Sequence, residues 1–372
     1  MKKMKVMTIL GTRPEIIRLA EVIKANDKYF EHILVHTGQN WDYNLYEIFF
    51  KELGLRKPDY FLDSVGKTLG ETMGNIIAKS YDVLLKEKPD AVLILGDTNS
   101  ALSAISAKRL KVPIFHMEAG NRCFDQNVPE EINRKIVDHI SDINLPYTEH
   151  SRRYLLSEGF RKEHIFVTGS PLTEVLYKNS AKIVKSKILS KLKLKKDKYI
   201  LVSAHREENI DIEKNFKSLT ESLNYVAEEL KIPIIYSTHP RSWKKIKEKK
   251  IKFNKLIRNL EPFGFFDYNK LQVNAYCVLS DSGTLSEESA ILGFPAVLIR
   301  TSTERPEAVD KGTIVIGGIE KEGVLRSIKL SRIDSGDGSI PPDYGDMNVS
   351  VKVVKIIESY TKIINRMVWM KN

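Results

Sequence analysis

Cysteine is nearly absent. Cys123 and Cys277 are the only two in 372 residues, and they lie far apart in no metal-ligand spacing. That excludes a disulfide framework and a structural zinc site, and it fits a reducing compartment. No apolar run approaches the roughly 20 residues that a membrane span needs. Met4 to Leu10 is too short for a secretory signal and runs straight into patterned sequence, so a cytoplasmic location with no membrane partner is expected. The close His/Cys/Asp/Glu spacing of a metal site is missing as well, and no metal is expected.

Charge is plentiful, with a formal net value of +11. Much of the excess sits in Lys182 to Lys198 and Lys244 to Lys255, where lysines interleave with Ile and Leu at helical spacing. Such runs form solvated faces of amphipathic helices. No aromatic RNA motif, helix-turn-helix signature or zinc finger accompanies them, so nucleic acid is not an expected partner.

The length exceeds that of one compact core and suits two domains. Strand-like and helix-like segments alternate from end to end, which predicts an α/β protein with parallel sheets. Strands are expected at Lys5 to Leu10, His32 to His36, Ala91 to Leu95, Val112 to His116, Ile143 to Leu145 and Ile165 to Val167. A second series covers Tyr199 to Ser203, Ile232 to Ser237, Cys277 to Ser280, Ala296 to Arg300 and Thr313 to Ile316. Two Rossmann-like domains facing a cleft follow from this pattern. Their expected bounds are 1–170 and 171–350, with a last helix from 351 to 372.

The loops after these strands carry the chemistry. Gly11-Thr12-Arg13-Pro14-Glu15 enters a helix with Thr12 and Glu15 at capping-box spacing, leaving Arg13 to meet an anion or solvent. Gly96-Asp97-Thr98 places Asp97 at the carboxyl edge of the sheet, where open α/β folds bind ligands. Glu118 stands after the next strand. Pro129 then opens a helix in which Ile132, Ile136 and Ile140 predict one buried face, while Glu130, Arg134 and Asp138 stack on another. A salt-bridged surface helix and a ligand-facing one both satisfy that pattern.

In the second half, His205-Arg206-Glu207 and His239-Pro240-Arg241 follow strands, and both His205 and His239 are candidate hydrogen-bond donors to a ligand. Asp281-Ser282-Gly283-Thr284 opens a helix whose first amides suit phosphate oxygens. The segment is neither a P-loop nor GxGxxG, so it specifies neither ATP nor NAD. Glu287 and Glu288 lie one turn on, near a sugar hydroxyl if a nucleotide sits there, and Arg305 adds a cation at the same edge. Phosphate-binding groups in one half and carboxylates with arginine in the other describe a nucleotide-sugar site. It would serve a glycosyltransferase, an epimerase or a non-catalytic binder.

Seven motifs in order narrow this: GTRPE at Gly11, GDT at Gly96, EAG at Glu118, PEEINR at Pro129, HRE at His205, DSG at Asp281 with Glu287-Glu288, and TERPEAV at Thr303. Together they resemble the non-hydrolysing UDP-N-acetylglucosamine 2-epimerase family. The resemblance implies a glycosyltransferase-B fold, homodimers, a UDP-sugar substrate, no cofactor, and a last helix crossing back to the first domain. It implies acid and base roles for Asp97, Glu118 and Glu130. It also implies contacts to the departing diphosphate from Arg13, His205, Ser282, Gly283 and Arg305, with Arg18, Arg134, His239, Arg241 and Glu288 completing the substrate site.

Within the family, the run from Glu118 to Asp142 looks most like the branch that makes UDP-N-acetyl-L-fucosamine from UDP-2-acetamido-2,6-dideoxy-L-talose for capsule and O-antigen synthesis. Arg18 replaces a family lysine, and Gly120-Asn121-Arg122-Cys123 replaces a Gly-Leu-Arg stretch. Both departures favour that substrate over plain UDP-N-acetylglucosamine, whose conversion to UDP-N-acetylmannosamine is the alternative.

Overall fold

The computed structural model describes residues 3–38, 47–333 and 340–371. The chain divides into two compact units, Met1–Lys178 with Gly345–Asn372, and Asn179–Tyr344. The first division lies inside the helix Pro171–Lys185, not ahead of it at residue 170. The reason is visible in two side chains at the start of that helix. Glu174 accepts the Ser350 N–H and hydroxyl at 2.9 and 2.8 Å, and Lys178 pairs with Glu21 at 2.8 Å, which ties this end of the helix into the first unit. The closing helix Val349–Met367 packs on the helix Arg13–Tyr29 of that same unit.

Unit 1 is built on six parallel strands: β1 (Lys5–Leu10), β2 (Glu31–His36), β3 (Tyr60–Phe61), β4 (Ala91–Leu95), β5 (Ile114–Met117) and β6 (Ile143–Leu145). Their order is β3-β2-β1-β4-β5-β6, the doubly wound arrangement. Central strands of such sheets are covered on both faces and read as unbroken apolar runs. β4, Ala-Val-Leu-Ile-Leu, is buried at every position. The topology reverses between β1 and β4, so the loops at Gly11 and Gly96 open side by side at the switch point.

Unit 2 repeats the plan without visible sequence repetition. Its strands are β7 (Ile200–Ser203), β8 (Ile234–Ser237), β9 (Ile257–Leu260), β10 (Cys277–Ser280), β11 (Ala296–Leu298) and β12 (Val315–Ile316), all parallel and ordered β12-β11-β10-β7-β8-β9. The switch point falls between β7 and β10, beside His205 and Asp281.

The strand expected at Ile165 to Val167 is absent; only an isolated parallel bridge, Asn144 to Ile165, forms there. Phe166 and Thr168 still donate to the carbonyls of Asn144 and Pro146, both at 3.0 Å. Pro146 has no N–H to return the bond, and the ladder stops. No described helix is long and apolar enough to cross a membrane.

Candidate active site

In unit 1 the construction starts at Glu15. Thr12 is the N-cap residue of the helix Arg13–Tyr29, and Glu15, at capping-box spacing, reaches back to its N–H. Glu15 Oε2 accepts the N–H groups of Gly11 (2.8 Å) and Thr12 (2.6 Å), while Oε1 accepts the hydroxyls of Thr98 (2.9 Å) and Ser100. One buried carboxylate therefore ties the β1 loop to the β4 loop. Burial pushes its pKa up against the pull of these hydrogen bonds. Arg13, at the helix start, lies 5.8 Å over the ring of Phe49.

Arg18 points one turn further in, where its Nη1 meets Glu118 Oε2 with both side chains buried. Glu118 adopts φ +65°, an uncommon conformation for a residue with a side chain. Its Oε1 receives Asn121 Nδ2 at 3.4 Å. Gly96 stands opposite at φ +74°, and a Cβ there would lie 3.0 Å from Glu118 Oε2. The glycine of the GDT motif thus makes room for this carboxylate.

Asp97, the next residue, is gripped by Arg134 through Nε (2.9 Å) and Nη2 (2.7 Å). Arg134 Nη1 donates to Glu131 at 2.9 Å, and Glu131 also accepts the N–H groups of Cys123 and Phe124 at 3.2 and 3.3 Å.

This reverses the expected faces of the helix Pro129–Ile140. Ile132 and Ile136 are 53% and 37% exposed, while Glu131, Arg134 and Asp138 are buried. The polar groups face inward because they have one another and the loop amides as partners; a buried charge is tolerated only when paired. Glu130 sits half-buried in the first turn. The acid that the structure joins to Asp97 through Arg134 is Glu131, which sequence reasoning did not select.

In unit 2 a second buried acid organises the loops. Asp281, at the end of β10, accepts the N–H groups of His205 and Arg206, each at 3.0 Å, and Asn209 Nδ2 at 3.1 Å. The His205 ring is held 3.4 Å from Asp281 and 5.8 Å, centroid to centroid, from the ring of His239. His239 caps the helix Pro240–Glu248 by accepting the Arg241 N–H at 3.3 Å. The Arg241 side chain pairs with Glu207 at 3.1 Å and is exposed, so that bridge adds little stability.

The helix Thr284–Leu292 begins as expected, with the hydroxyls of Ser282 and Thr284 2.7 Å apart and Gly293 ending it at φ +70°. A Cβ on Gly283 would meet only ordinary contacts within the protein, at 3.5 and 3.9 Å, so internal packing does not require that glycine. Glu288 accepts from Gln272 at 2.5 Å. Arg305 lies buried against Glu287 at 3.1 Å, and Arg300 forks onto Glu304 at 2.9–3.2 Å. Among the described residues no group of three or more His, Cys, Asp or Glu side chains stands in a metal-holding arrangement.

A protein-family model described as UDP-N-acetylglucosamine 2-epimerase matches residues 23–358. The chain belongs to that family. A solved UDP-N-acetylglucosamine 2-epimerase from Rickettsia bellii is 50% identical at TM-score 0.91, covering 99% of this chain and 100% of that one. The family member from Methanocaldococcus jannaschii, solved in complex with UDP-GlcNAc and UDP, is 37% identical at TM-score 0.90 and covers 95% of this chain and 99% of its own. A UDP-2,3-diacetamido-2,3-dideoxy-D-glucuronate 2-epimerase from Pseudomonas aeruginosa is 35% identical over 95% of this chain and 99% of its own. The UDP-N-acetylglucosamine 2-epimerase family is one of isomerases, and its paired Rossmann-like units are of the glycosyltransferase-B type.

Proposed function

We propose that the protein inverts C2 of a UDP-2-acetamido sugar by eliminating UDP and adding it back. C2 of such a sugar is not beside a carbonyl, so its proton cannot leave to form a stabilised enolate. In the route proposed, a carboxylate takes the C2 proton, the C2–H electron pair becomes the C1–C2 double bond, and the C1–O bond breaks to release UDP. The 2-acetamidoglycal then receives a proton at C2 from the opposite face while a UDP oxygen attacks C1. No oxidant or reductant is needed.

The observation that carries this reading is the placement of Asp97 and Glu118 after the neighbouring strands β4 and β5, each gripped by a buried arginine. Two fixed carboxylates supply acid and base, each such transfer contributing about 100- to 10,000-fold. Glu130, in the first turn of the helix Pro129–Ile140, is the third candidate. In unit 2 the start of the helix Thr284–Leu292, with Ser282, Gly283 and His205, suits a diphosphate that gains charge as it leaves. The space that Gly283 leaves is in keeping with close approach of that group. Arg305 would act through Glu287.

For the substrate we favour UDP-2-acetamido-2,6-dideoxy-β-L-talose, giving UDP-N-acetyl-L-fucosamine for surface polysaccharide synthesis in a cytoplasmic homodimer. Arg18 and Asn121, the two departures that favour it, both touch Glu118. The second reading, UDP-N-acetylglucosamine, is supported by the names of the relatives from Rickettsia bellii and Methanocaldococcus jannaschii. Incubation with each compound in heavy water, followed by NMR of recovered sugar nucleotide, separates them. The preferred substrate gains deuterium at C2 and the other stays unchanged. A labelled product that needs an added acceptor would identify a transferase instead.

A further inference from the structure

We infer that His116 is a positioning residue, a buried two-sided clamp that holds the segments carrying Asp97 and Glu118 in fixed relation, an inference that rests on the epimerase reading for its catalytic meaning.

His116 lies on β5 between Ile94 of β4 and Asn144 of β6 and has no exposed surface. Its Nε2 stands 2.8 Å from the Gly96 carbonyl oxygen. A carbonyl can only accept, so this nitrogen carries a hydrogen. Its Nδ1 stands 2.9 Å from Asp138 Oδ1. The two atoms are close but outside hydrogen-bond geometry, so the contact is an ion pair, and it favours a proton on this nitrogen too. A protonated, fully buried ring satisfies both contacts.

Each end of the clamp grips one catalytic segment. On one side, the Gly96 carbonyl is held by His116 and its N–H donates to Met117 O at 2.9 Å, so both peptide groups of the residue before Asp97 are anchored to β5. On the other side, Asp138 Oδ2 accepts the Gly120 N–H at 3.1 Å and Arg122 Nη1 at 2.7 Å, fixing the chain two residues beyond Glu118. Arg122 also forks onto Glu158 at 2.7 and 2.6 Å, which closes the network against the helix Glu149–Ser157.

A hydrophobic residue at position 116 would fill the volume without desolvating a charge, and such replacements are often neutral or stabilising. It would not hold the Gly96 carbonyl. The charged groups facing the ring are Asp138 from the helix Pro129–Ile140 and Asp97 from the β4 loop, with Arg122 beyond Asp138. Burial draws the ring's pKa down, but Asp138, the Gly96 carbonyl and Asp97 together raise it above the ordinary histidine value. The clamp is therefore lost as pH rises past that raised value.

The test compares the wild type with His116→Phe and His116→Gln as full-length proteins, each checked for folding by circular dichroism. Misplacing a reacting group by about 1 Å costs on the order of a hundredfold. His116→Phe is expected to lose about that much kcat, with KM and UDP affinity little changed, and His116→Gln, which can still donate to Gly96, to recover part of it. A folded His116→Phe variant whose kcat stays within about threefold of wild type overturns the inference. If His116→Phe does not fold, His116→Gln decides by the same split, losing kcat and not KM or UDP affinity. A separate readout needs no turnover: 15N NMR of histidine-labelled wild type should show both His116 nitrogens protonated at neutral pH, and a neutral ring would refute the clamp. If the wild type epimerises no UDP-2-acetamido sugar, the functional reading fails while the NMR result still judges the clamp.

Discussion

Gly120→Ala perturbs the loop after β5 at one atom, and the structure predicts its cost. Gly120 has φ +80°, and a Cβ there would sit 2.4 Å from the Ser151 carbonyl oxygen and 2.9 Å from Leu155 Cγ. Left-handed backbone costs an alanine about 1–2 kcal/mol. Forcing an extra carbon into packed backbone costs about 1–3 kcal/mol more. The sum, about 2–5 kcal/mol, lowers the thermal midpoint of a unit of about 200 residues by roughly 4–20 °C. Gly54→Ala is the control: its φ is +66° and nothing lies within 4 Å of the added carbon, so only the backbone term applies. Scanning calorimetry of the two variants isolates the steric part. Because the Gly120 N–H anchors the loop to Asp138, epimerase activity should fall in Gly120→Ala and not in Gly54→Ala. Equal midpoints for the two variants would refute the packing argument.

Three further outcomes follow from the geometry. Arg134→Met leaves buried Glu131 with only the more distant, half-exposed Lys135 at 3.8 Å, and breaking a buried pair costs about 3–5 kcal/mol; urea unfolding should show it, and adding Glu131→Gln should restore part. Gly96→Ala brings a Cβ within 3.0 Å of Glu118 Oε2 at φ +74°, so kcat should fall while UDP binding, measured by calorimetry, holds. Burial pushes the His36 pKa down to about 4, from an ordinary 6.5. Between those values the unfolded chain binds a proton that the folded chain refuses, so stability declines as pH falls through that window, by up to about 3 kcal/mol in all. His36→Gln should lack that slope in denaturation measured across the same range.

The plan of both sheets was legible because buried parallel strands are apolar throughout, as in Ala91–Leu95, and because each is followed by turn chemistry. Two edge strands were not. Tyr60–Phe61 is only two residues long, and Ile257–Leu260 carries Arg258 and Asn259, so neither shows an apolar run. The strand edges also marked Asp97, Glu118 and His205 as candidates, since a polar residue after an apolar strand is visible in one dimension.

The faces of the helix Pro129–Ile140 were misjudged for a physical reason. A period of about 3.6 shows that a helix has two faces, not which one turns inward. Here Arg134 bridges Asp97, 37 residues upstream, and Glu131, 3 residues upstream on the same helix, and only the fold brings the first of these to it. Glu15, Glu131 and Asp281 escaped selection alike, because each serves the site by accepting backbone N–H groups of neighbouring loops.

In the proposed route the C2 hydrogen leaves the sugar and returns from solvent while UDP is detached. This is tested most directly by incubating the wild-type protein with UDP-2-acetamido-2,6-dideoxy-L-talose and with UDP-N-acetylglucosamine in heavy water. The expected result is product with deuterium at C2 and trace free UDP with the 2-acetamidoglycal. Epimerised product that retains its original C2 hydrogen would contradict it.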